Sequence, residues 1–229
     1  RYSRTSGSYL TDLETLHQTS LSDEQDTTRM SVWQSRGTRY LSWSERIHGS
    51  AGWDGRHETI AGGRLTQPQH VLVDLATFAT VTWESEVQSQ RFGLRKAFNS
   101  AFRTPALPSW NGMWKWRAHR LRLAYAKGFR APTLKELHFQ FIDVNHQLFG
   151  NTSLRPETSH FMQLHWQLSG DLDFSIRAYS NVVTDQIGLV DQLDGTYQYV
   201  NFTGFSSRGA EVQVHTSNAQ FELNVGVSD

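Results

Sequence analysis

Cysteine is missing from all 229 residues, which excludes structural disulfides, thiolate-bound zinc and thiol catalysis at once. Net charge is missing too. With 22 Lys and Arg against 22 Asp and Glu, no field draws the chain onto a polyanion, which argues against nucleic acid as a partner. Long apolar runs are also lacking: the stretch 71–81 is broken by Asp74 and several threonines, and nothing approaches the roughly 18–20 apolar residues of a membrane-crossing helix. The Gly-x-Ser-x-Gly, His-Glu-x-x-His and phosphate-cradling glycine patterns are absent, and the acidic pair Asp23 and Glu24 sits in a polar run that reads as a solvated loop. No catalytic residue, metal site or cofactor is therefore expected.

What the chain does have is aromatic side chains: eight Trp, thirteen Phe and seven Tyr in a sequence whose mean hydropathy is −0.53. A soluble globular protein can show this combination. A transmembrane β-barrel requires it, because only alternate residues face lipid and aromatic girdles mark both interfaces. Period-two alternation recurs along the chain. Leu121, Leu123 and Tyr125 alternate with Arg120, Arg122 and Ala124; Met162, Leu164, Trp166 and Leu168 alternate with Gln163, His165 and Gln167. Val212 and Val214, then Phe221, Leu223, Val225 and Val227, do the same. Residues 28–34, 39–47, 57–65 and 71–84 read as further strands, each with one apolar and one polar face.

Connections separate the two all-β architectures better than strands do. Ser169-Gly170-Asp171, Ser217-Asn218 and Asp194-Gly195 are tight hairpin signals, whereas about thirty residues separate Lys127 from Thr158. If 121–126 runs outward into that long connection, 159–168 returns, the Ser169 turn lies inside and 172–189 runs outward again. With 197–216 as one returning strand, Gly204 being a bulge rather than a turn, the Ser217 turn also falls inside. Short turns on one side and a long loop on the other is the asymmetry of outer-membrane barrels. Within the loop, Thr133 to Glu136 fits a capping box, and Leu134, Leu137 and Phe141 would share one face of a short helix. The chain starts at Arg1 without an initiator Met or signal segment and stops at Asp229 after an apolar alternating run, so it reads as a fragment.

The run Leu121 to Leu137, with Gly128, Phe129, Arg130, Ala131 and Pro132 followed by the pair Glu136 and Leu137, resembles the strand-to-loop signature of TonB-dependent outer-membrane receptors. Asn151, Leu154, Pro156 and Glu157 are similar to the family's second box, Asn-Pro-x-Leu-x-Pro-Glu, which closes the same loop. Phe92-Gly93-Leu94-Arg95 with Pro108 and Trp114-Lys115, and Tyr199-Val200-Asn201 with Gly209-Ala210-Glu211, extend the resemblance over residues 57–229. Departures are Lys96-Ala97, where the family has Tyr-Asp, and Thr152, where the second box has proline.

The resemblance implies an all-β, antiparallel transmembrane β-barrel of 22 strands with a plug domain in its lumen, opened by the TonB energy-coupling protein. At about 9–11 residues per spanning strand plus connections, this chain supplies on the order of ten to twelve strands. It is accordingly expected to be one partial barrel domain over residues 1–229, without the plug and without the C-terminal end of the barrel. The implied ligands are an iron chelate (siderophore), haem or cobalamin; the implied surroundings are outer-membrane lipid. Ligand-contact candidates in the loop are His138, Asp143, Asn145 and His146, with Arg155 near its end. A neutral imidazole can ligate haem iron, and an arginine can pair with a propionate or an anionic siderophore. Some haem receptors of the family carry a histidine between these two boxes, the interval that His146 occupies; the bland reading is a solvated loop histidine. Arg130 and Glu136 read as scaffold. His165 and His215 fall on the polar face, where a wet lumen requires no metal. Trp53, Trp83 and Trp166 are girdle candidates, while Trp110, Trp114 and Trp116 fit either a girdle or a loop. The alternative function is a soluble all-β carbohydrate-binding or carbohydrate-active domain, whose apolar alternate residues would meet across a dry core instead of facing outward.

Overall fold

A computed structural model describes residues 2–10, 25–142, 147–170, 172–192, 195–216 and 221–229. Alternating sequence becomes strand almost throughout. In chain order the elements are β1 (Tyr2–Leu10), β2 (Gln25–Ser42), β3 (Ile47–Gly62), β4 (Gln69–Glu84), β5 (Gln88–Asn99), β6 (Ala106–Trp116) and β7 (His119–Arg130). A short helix α1 (Leu134–His138) and two short strands, β8 (Gln140–Ile142) and β9 (Gln147–Phe149), follow. The chain then continues through β10 (Glu157–Leu168), β11 (Leu172–Asp191), β12 (Thr196–Thr216) and β13 (Phe221–Ser228). All thirteen strands form one sheet. It is an antiparallel meander in which β10 pairs directly with β7, so that α1, β8 and β9 belong to the connection between them. Setting aside β8 and β9, at three residues each, leaves eleven long strands among the described residues. No pairing joins β1 to β13 among the described residues, and the sheet does not close.

The sheet curls. His48 on β3 and Arg177 on β11 are six strand steps apart, roughly 29 Å in a flat sheet, yet both line one hollow of about 700 Å³. Its connections fall into two sets. The strand ends that flank 43–46, 85–87, 117–118, 169–171 and 217–220, intervals of at most four residues, lie at one end; the strand ends that flank 11–24, 63–68, 100–105, 131–156 and 192–195 lie at the other. The side count made from the sequence therefore holds for this pattern of connections.

The two faces of the wall differ as the alternation requires. On β4 the odd-numbered residues Val71, Leu75, Val81 and Trp83 are exposed, while even-numbered Leu72, Asp74 and Ala76 line the concave side. On β10, Met162 and Leu164 are exposed, whereas Gln163 and His165 line the hollow. Large apolar side chains thus stand on the convex surface, with Leu75 54% and Phe92 57% exposed, where a sandwich would have packed them together. The soluble carbohydrate-domain alternative finds no support in this arrangement. Near the tight-turn end, the convex face carries a belt of rings across four strands. Trp116 stacks on His119 at 5.4 Å, His119 on Trp166 at 5.6 Å, and Trp166 meets Phe174 edge-on at 5.7 Å. Trp110 and Trp114 share the convex parity and contact each other at 6.0 Å, so they belong to the wall rather than to a loop.

Three local expectations are corrected. Residues 28–34 and 39–47 do not form two strands: β2 runs unbroken from Gln25 to Ser42, and the turn comes at 43–46. The weak alternation there has a packing cause. Gly37 faces Trp53 across the ladder, and a Cβ at Gly37 would overlap the indole, so a missing side chain on one strand accommodates an aromatic on the next. Gly204 does lie inside one continuous strand, but it is not a bulge: Thr184↔Gly204 and Gln186↔Phe202 keep one register, and the irregular residue is Asp185 opposite, left-handed at φ 57°. Finally, the Thr133–Glu136 capping box is present, but α1 ends at His138 and Phe141 lies on β8. Phe139 turns extended at φ −76°, ψ 133° and bridges to Leu65, which stops the helix.

Candidate functional site

The residues of the two sequence boxes meet at the loop end of the wall. Arg130, the last residue of β7, donates from Nη1 to both carboxylate oxygens of Glu136 at 3.0 Å and from Nη2 to Glu157 Oε1 at 2.6 Å. Glu157 Oε1 accepts in addition the N–H of Ile187 at 2.7 Å, and Glu136 Oε2 accepts the N–H of Thr133 at 2.8 Å. One planar fork thereby ties β7, the start of α1 and β10 together, and reaches β11 through Glu157. Arg130 and Glu136 are both engaged within this network. Because the Arg130 side chain is 41% exposed and its carboxylates 16%, solvent screening discounts the pair below the cost of breaking a dry one. Arg130→Ala is expected to loosen the loop by about 2 kcal/mol, read as faster amide hydrogen exchange at residues 133–139 in the complete receptor; unchanged exchange there would count against this role.

The second box closes the loop by a different chemistry. Asn151 donates its side-chain amide to Tyr199 O at 2.9 Å and accepts the N–H of Ser153 at 2.9 Å. Asn201 accepts the N–H of Arg155 at 2.8 Å and donates to Arg155 O at 2.9 Å and to Asp185 O at 2.7 Å. The Arg155 guanidinium pairs with Asp185 at 2.6 Å, so this ligand candidate is already engaged, although its side chain remains 69% exposed. Leu154 buries with Leu137 and Ile187 under the same turn, and Pro132 is fully buried at the loop's start. The family-like strand pair Tyr199 and Asn201 is thus the counterpart of the second box, bonded to it directly. The two departures from the family pattern also find local roles: Lys96 donates to Thr104 O at 2.5 Å, Ala97 O accepts the Thr104 hydroxyl, and Thr152 sits in the turn after Asn151.

His138 closes α1 against the β3–β4 connection. Its ring stacks on His70 with centroids 3.5 Å apart and planes at 8°, and both rings hydrogen-bond the Thr66 hydroxyl, His70 Nε2 at 3.0 Å and His138 Nδ1 at 3.1 Å. Burial, and after it the neighbouring His70 ring, lowers the His138 imidazole below its ordinary value of 6.5. The sign follows from linkage: the folded state prefers the neutral ring, so its contribution is full above about pH 6.5 and is lost as pH falls through the depressed value. Exchange protection of residues 134–139 is expected to drop on acidification from pH 7.5 to pH 5; because burial lowers the His70 imidazole as well, the drop should shrink in His138→Phe and vanish only when His70 is replaced too. Beside this seam Ile60, Leu65, Leu72, Leu134 and Phe139 form the apolar cluster that seats the loop on the wall. Asp143, Asn145 and His146 lie outside the described residues.

Beneath the loop, a concave hollow of about 460 Å³ is lined by charges that alternate along the strands. Asp54 pairs with Arg36 at 2.7 Å and with Arg95 at 3.6 Å; Arg56 pairs with Glu58 at 2.5 Å; Asn99 donates to Asp74 at 2.6 Å. The sequence reading missed these residues. The available signal was the i, i+2 series Asp54, Arg56, Glu58, which places three charges on one face of a strand. Among the described residues no group of three or more His, Cys, Asp or Glu is placed to hold a metal. These charges line a concave face on which a charged ligand can bind.

An unclosed antiparallel wall with an apolar convex face, a charged concave face and a clamped loop over one rim is the architecture of part of a transmembrane β-barrel. The family model TonB dependent receptor-like, beta-barrel matches residues 2–228, and the chain belongs to that family. Solved structures agree on the fold. The siderophore receptor PirA from Pseudomonas aeruginosa superposes with a TM-score of 0.71 at 16% identity, over 89% of this chain and 41% of that one. The ferric enterobactin receptor PfeA of the same species, in complex with enterobactin, gives 0.72 at 16% identity over 99% and 40%. The Serratia marcescens hemophore receptor HasR, in complex with its hemophore HasA and heme, gives 0.65 at 14% identity over 89% and 42%. In sequence, the chain is 40% identical over 52 residues to hemoglobin-binding protein A of Haemophilus influenzae, which is 23% of this chain and 5% of that protein. The chain therefore spans about two fifths of the length of the receptors it superposes on.

Proposed function

We propose that the chain forms part of the barrel of an outer-membrane receptor that takes up an iron source, a ferric siderophore or haem, into a Gram-negative bacterium. The observation that carries this reading is the clamped loop 131–156, held by Arg130 at one end and by Asn151 and Asn201 at the other, above a concave hollow lined with arginines. Such a rim can present loop side chains to an anionic chelate, while in the wall below carboxylate or catecholate oxygens would compete with Asp54 and Glu58 for the guanidinium groups. The names of the relatives favour iron sources over cobalamin. Capture, followed by TonB-driven movement of a plug domain outside these residues, makes and breaks no covalent bond. The test is genetic: the complete gene, placed in a strain stripped of its own iron receptors, should restore growth on haem, haemoglobin or a ferric siderophore as sole iron source. Failure on all three, with the protein present in the outer membrane, would overturn the proposal.

A further inference from the structure

The loop 131–156 leaves the wall at β7 and rejoins it at β10, its immediate neighbour. Its own short strands reach much further. β9 pairs in parallel with β12, Gln147 to Phe149 against Thr196 to Gln198, and β8 adds an antiparallel strand to β9. β8 then passes the bonding on to the β3–β4 connection. Gln140 donates its N–H to Arg64 O at 2.8 Å, Phe139 bridges Leu65, and Thr66 donates its N–H to His138 O at 3.1 Å. β12 and β4 are six strand steps apart, roughly 29 Å in a flat sheet. A loop bonded to both is a strap across the concave face, and its first residues, Ala131 to Thr133, line the hollow of Asp54, Arg56 and Arg95.

The strap has two feet of different chemistry. At the β12 foot Asn151 and Asn201 bond to backbone groups and Leu137, Leu154 and Ile187 pack together, so nothing in these contacts gains or loses a proton between about pH 5 and 8. At the β4 foot, beside the apolar seat of Ile60, Leu65, Leu72, Leu134 and Phe139, two imidazoles share one hydroxyl. The Thr66 hydroxyl has a single proton: with both rings neutral it donates to one ring nitrogen and accepts the N–H of the other. With both rings charged, both nitrogens are donors, the hydroxyl proton loses its ring acceptor, and two positive charges stand on rings whose centroids are 3.5 Å apart. The charged groups on the surrounding elements do not offset this. Arg64 in the connection and Lys135 on α1 add positive charge. Glu58 on β3 is paired with Arg56, Asp74 on β4 accepts from Asn99, and Glu136 on α1 is held by Arg130. No carboxylate among the described residues bonds to either ring.

We propose that the His70–His138 stack is a proton-operated latch on the strap. With both rings neutral the β4 foot is seated; as the rings take up protons that foot opens, the β12 foot holds, and the hollow beneath is uncovered. The device goes beyond the uptake reading and needs no particular cargo. The apolar seat holds the closed state at neutral pH, so protons shift a population rather than remove the foot. Burial lowers both imidazoles below 6.5, and the His70 ring lowers His138 further. His70 is the second residue of β4, at its loop end. The seated state therefore loses stability as pH falls from 6.5 toward the depressed values, and over that interval each pH unit raises the open population about tenfold per proton taken up. Two rings acting together give a steeper response than one.

The experiment uses the complete receptor in nanodiscs without cargo, with spin labels on two pairs of introduced cysteines and distances read by pulsed dipolar spectroscopy. Gln67→Cys with Ile142→Cys spans the β4 foot, and Ser153→Cys with Thr203→Cys spans the β12 foot, all four positions being exposed. Between pH 7.5 and pH 5 the first pair is expected to raise its longer-distance population by at least about tenfold, while the second pair stays unchanged. The double variant His70→Phe, His138→Phe keeps two flat rings that can stack and should lose this response. If that variant is open at both pH values, His70→Phe alone decides: with one ring left to titrate, its response should be shallower than the parent's, and an equal response overturns the latch. No shift in the parent, an undiminished shift in the double variant, or parallel opening of both feet would each overturn it as well. Because distances are read without cargo, failure of growth on every iron source would strike the uptake reading and leave this result standing.

Discussion

Leu164→Arg is expected to destabilise the complete receptor in a bilayer by roughly 2–4 kcal/mol, while Gln163→Arg, one residue away, changes stability by about 0.5 kcal/mol or less. The contrast follows from the alternation on β10. Leu164 lies on the convex face, 39% exposed in the absence of lipid, whereas Gln163 lines the concave hollow, where an added guanidinium stays hydrated. A guanidinium at position 164 must reach the interface along its own stem or draw water into hydrocarbon. Trp166 stands two residues away and marks the nearer interface, which places the expected cost toward the lower part of the range. Denaturant unfolding of the receptor in liposomes would measure both variants. Equal losses, or a larger loss at 163, would show that the convex face does not meet lipid.

The same alternation explains how much of the molecule could be read from its residues. Strands with large apolar side chains on one face, such as β7 and β10, were legible in place and in facing. β2 and β3 were not, because Gly37, Gly49, Gly52 and Gly55 interrupt the pattern that a period-two reading depends on; the rings of Trp53 and Phe78 from neighbouring strands lie against Gly37 and Gly52. Within the site, Arg130 and Glu136 lie six residues apart and were readable as a local pair, but the second partner of Arg130, Glu157, and its bond to the Ile187 N–H are products of strand pairing. The His70–His138 stack joins residues 68 positions apart, and nothing local distinguishes either histidine. The parallel pairing of β9 with β12 was equally hidden, since a three-residue strand carries no pattern of its own. Residues that close the loop were therefore visible as motifs, and residues that seat it on the wall were visible only in three dimensions.

That seating gives the second large effect its logic. We expect His146→Ala in the complete receptor to abolish growth on haem as sole iron source and to weaken haem binding by at least about tenfold, or 1.4 kcal/mol, with growth on iron salts unchanged. His146 lies between the two boxes, and its sequence neighbours are held: Gln147 pairs with Ile142 on one side and with Thr196 on the other, while Gly150 and Asn151 bond back to Phe139 and Glu136. Such a frame limits where a ligand from this stretch can be presented, which is what an axial imidazole on haem iron needs. His138→Ala provides the contrast. Its Nδ1 is engaged by Thr66 and one face of its ring by His70, so its loss should loosen the loop and lower uptake of any cargo by a similar factor. Selective loss on haem for His146→Ala, against a general loss for His138→Ala, would identify His146 as the iron ligand. Normal growth of His146→Ala on haem would remove it from that role and shift the search to the arginine-lined hollow beneath the loop.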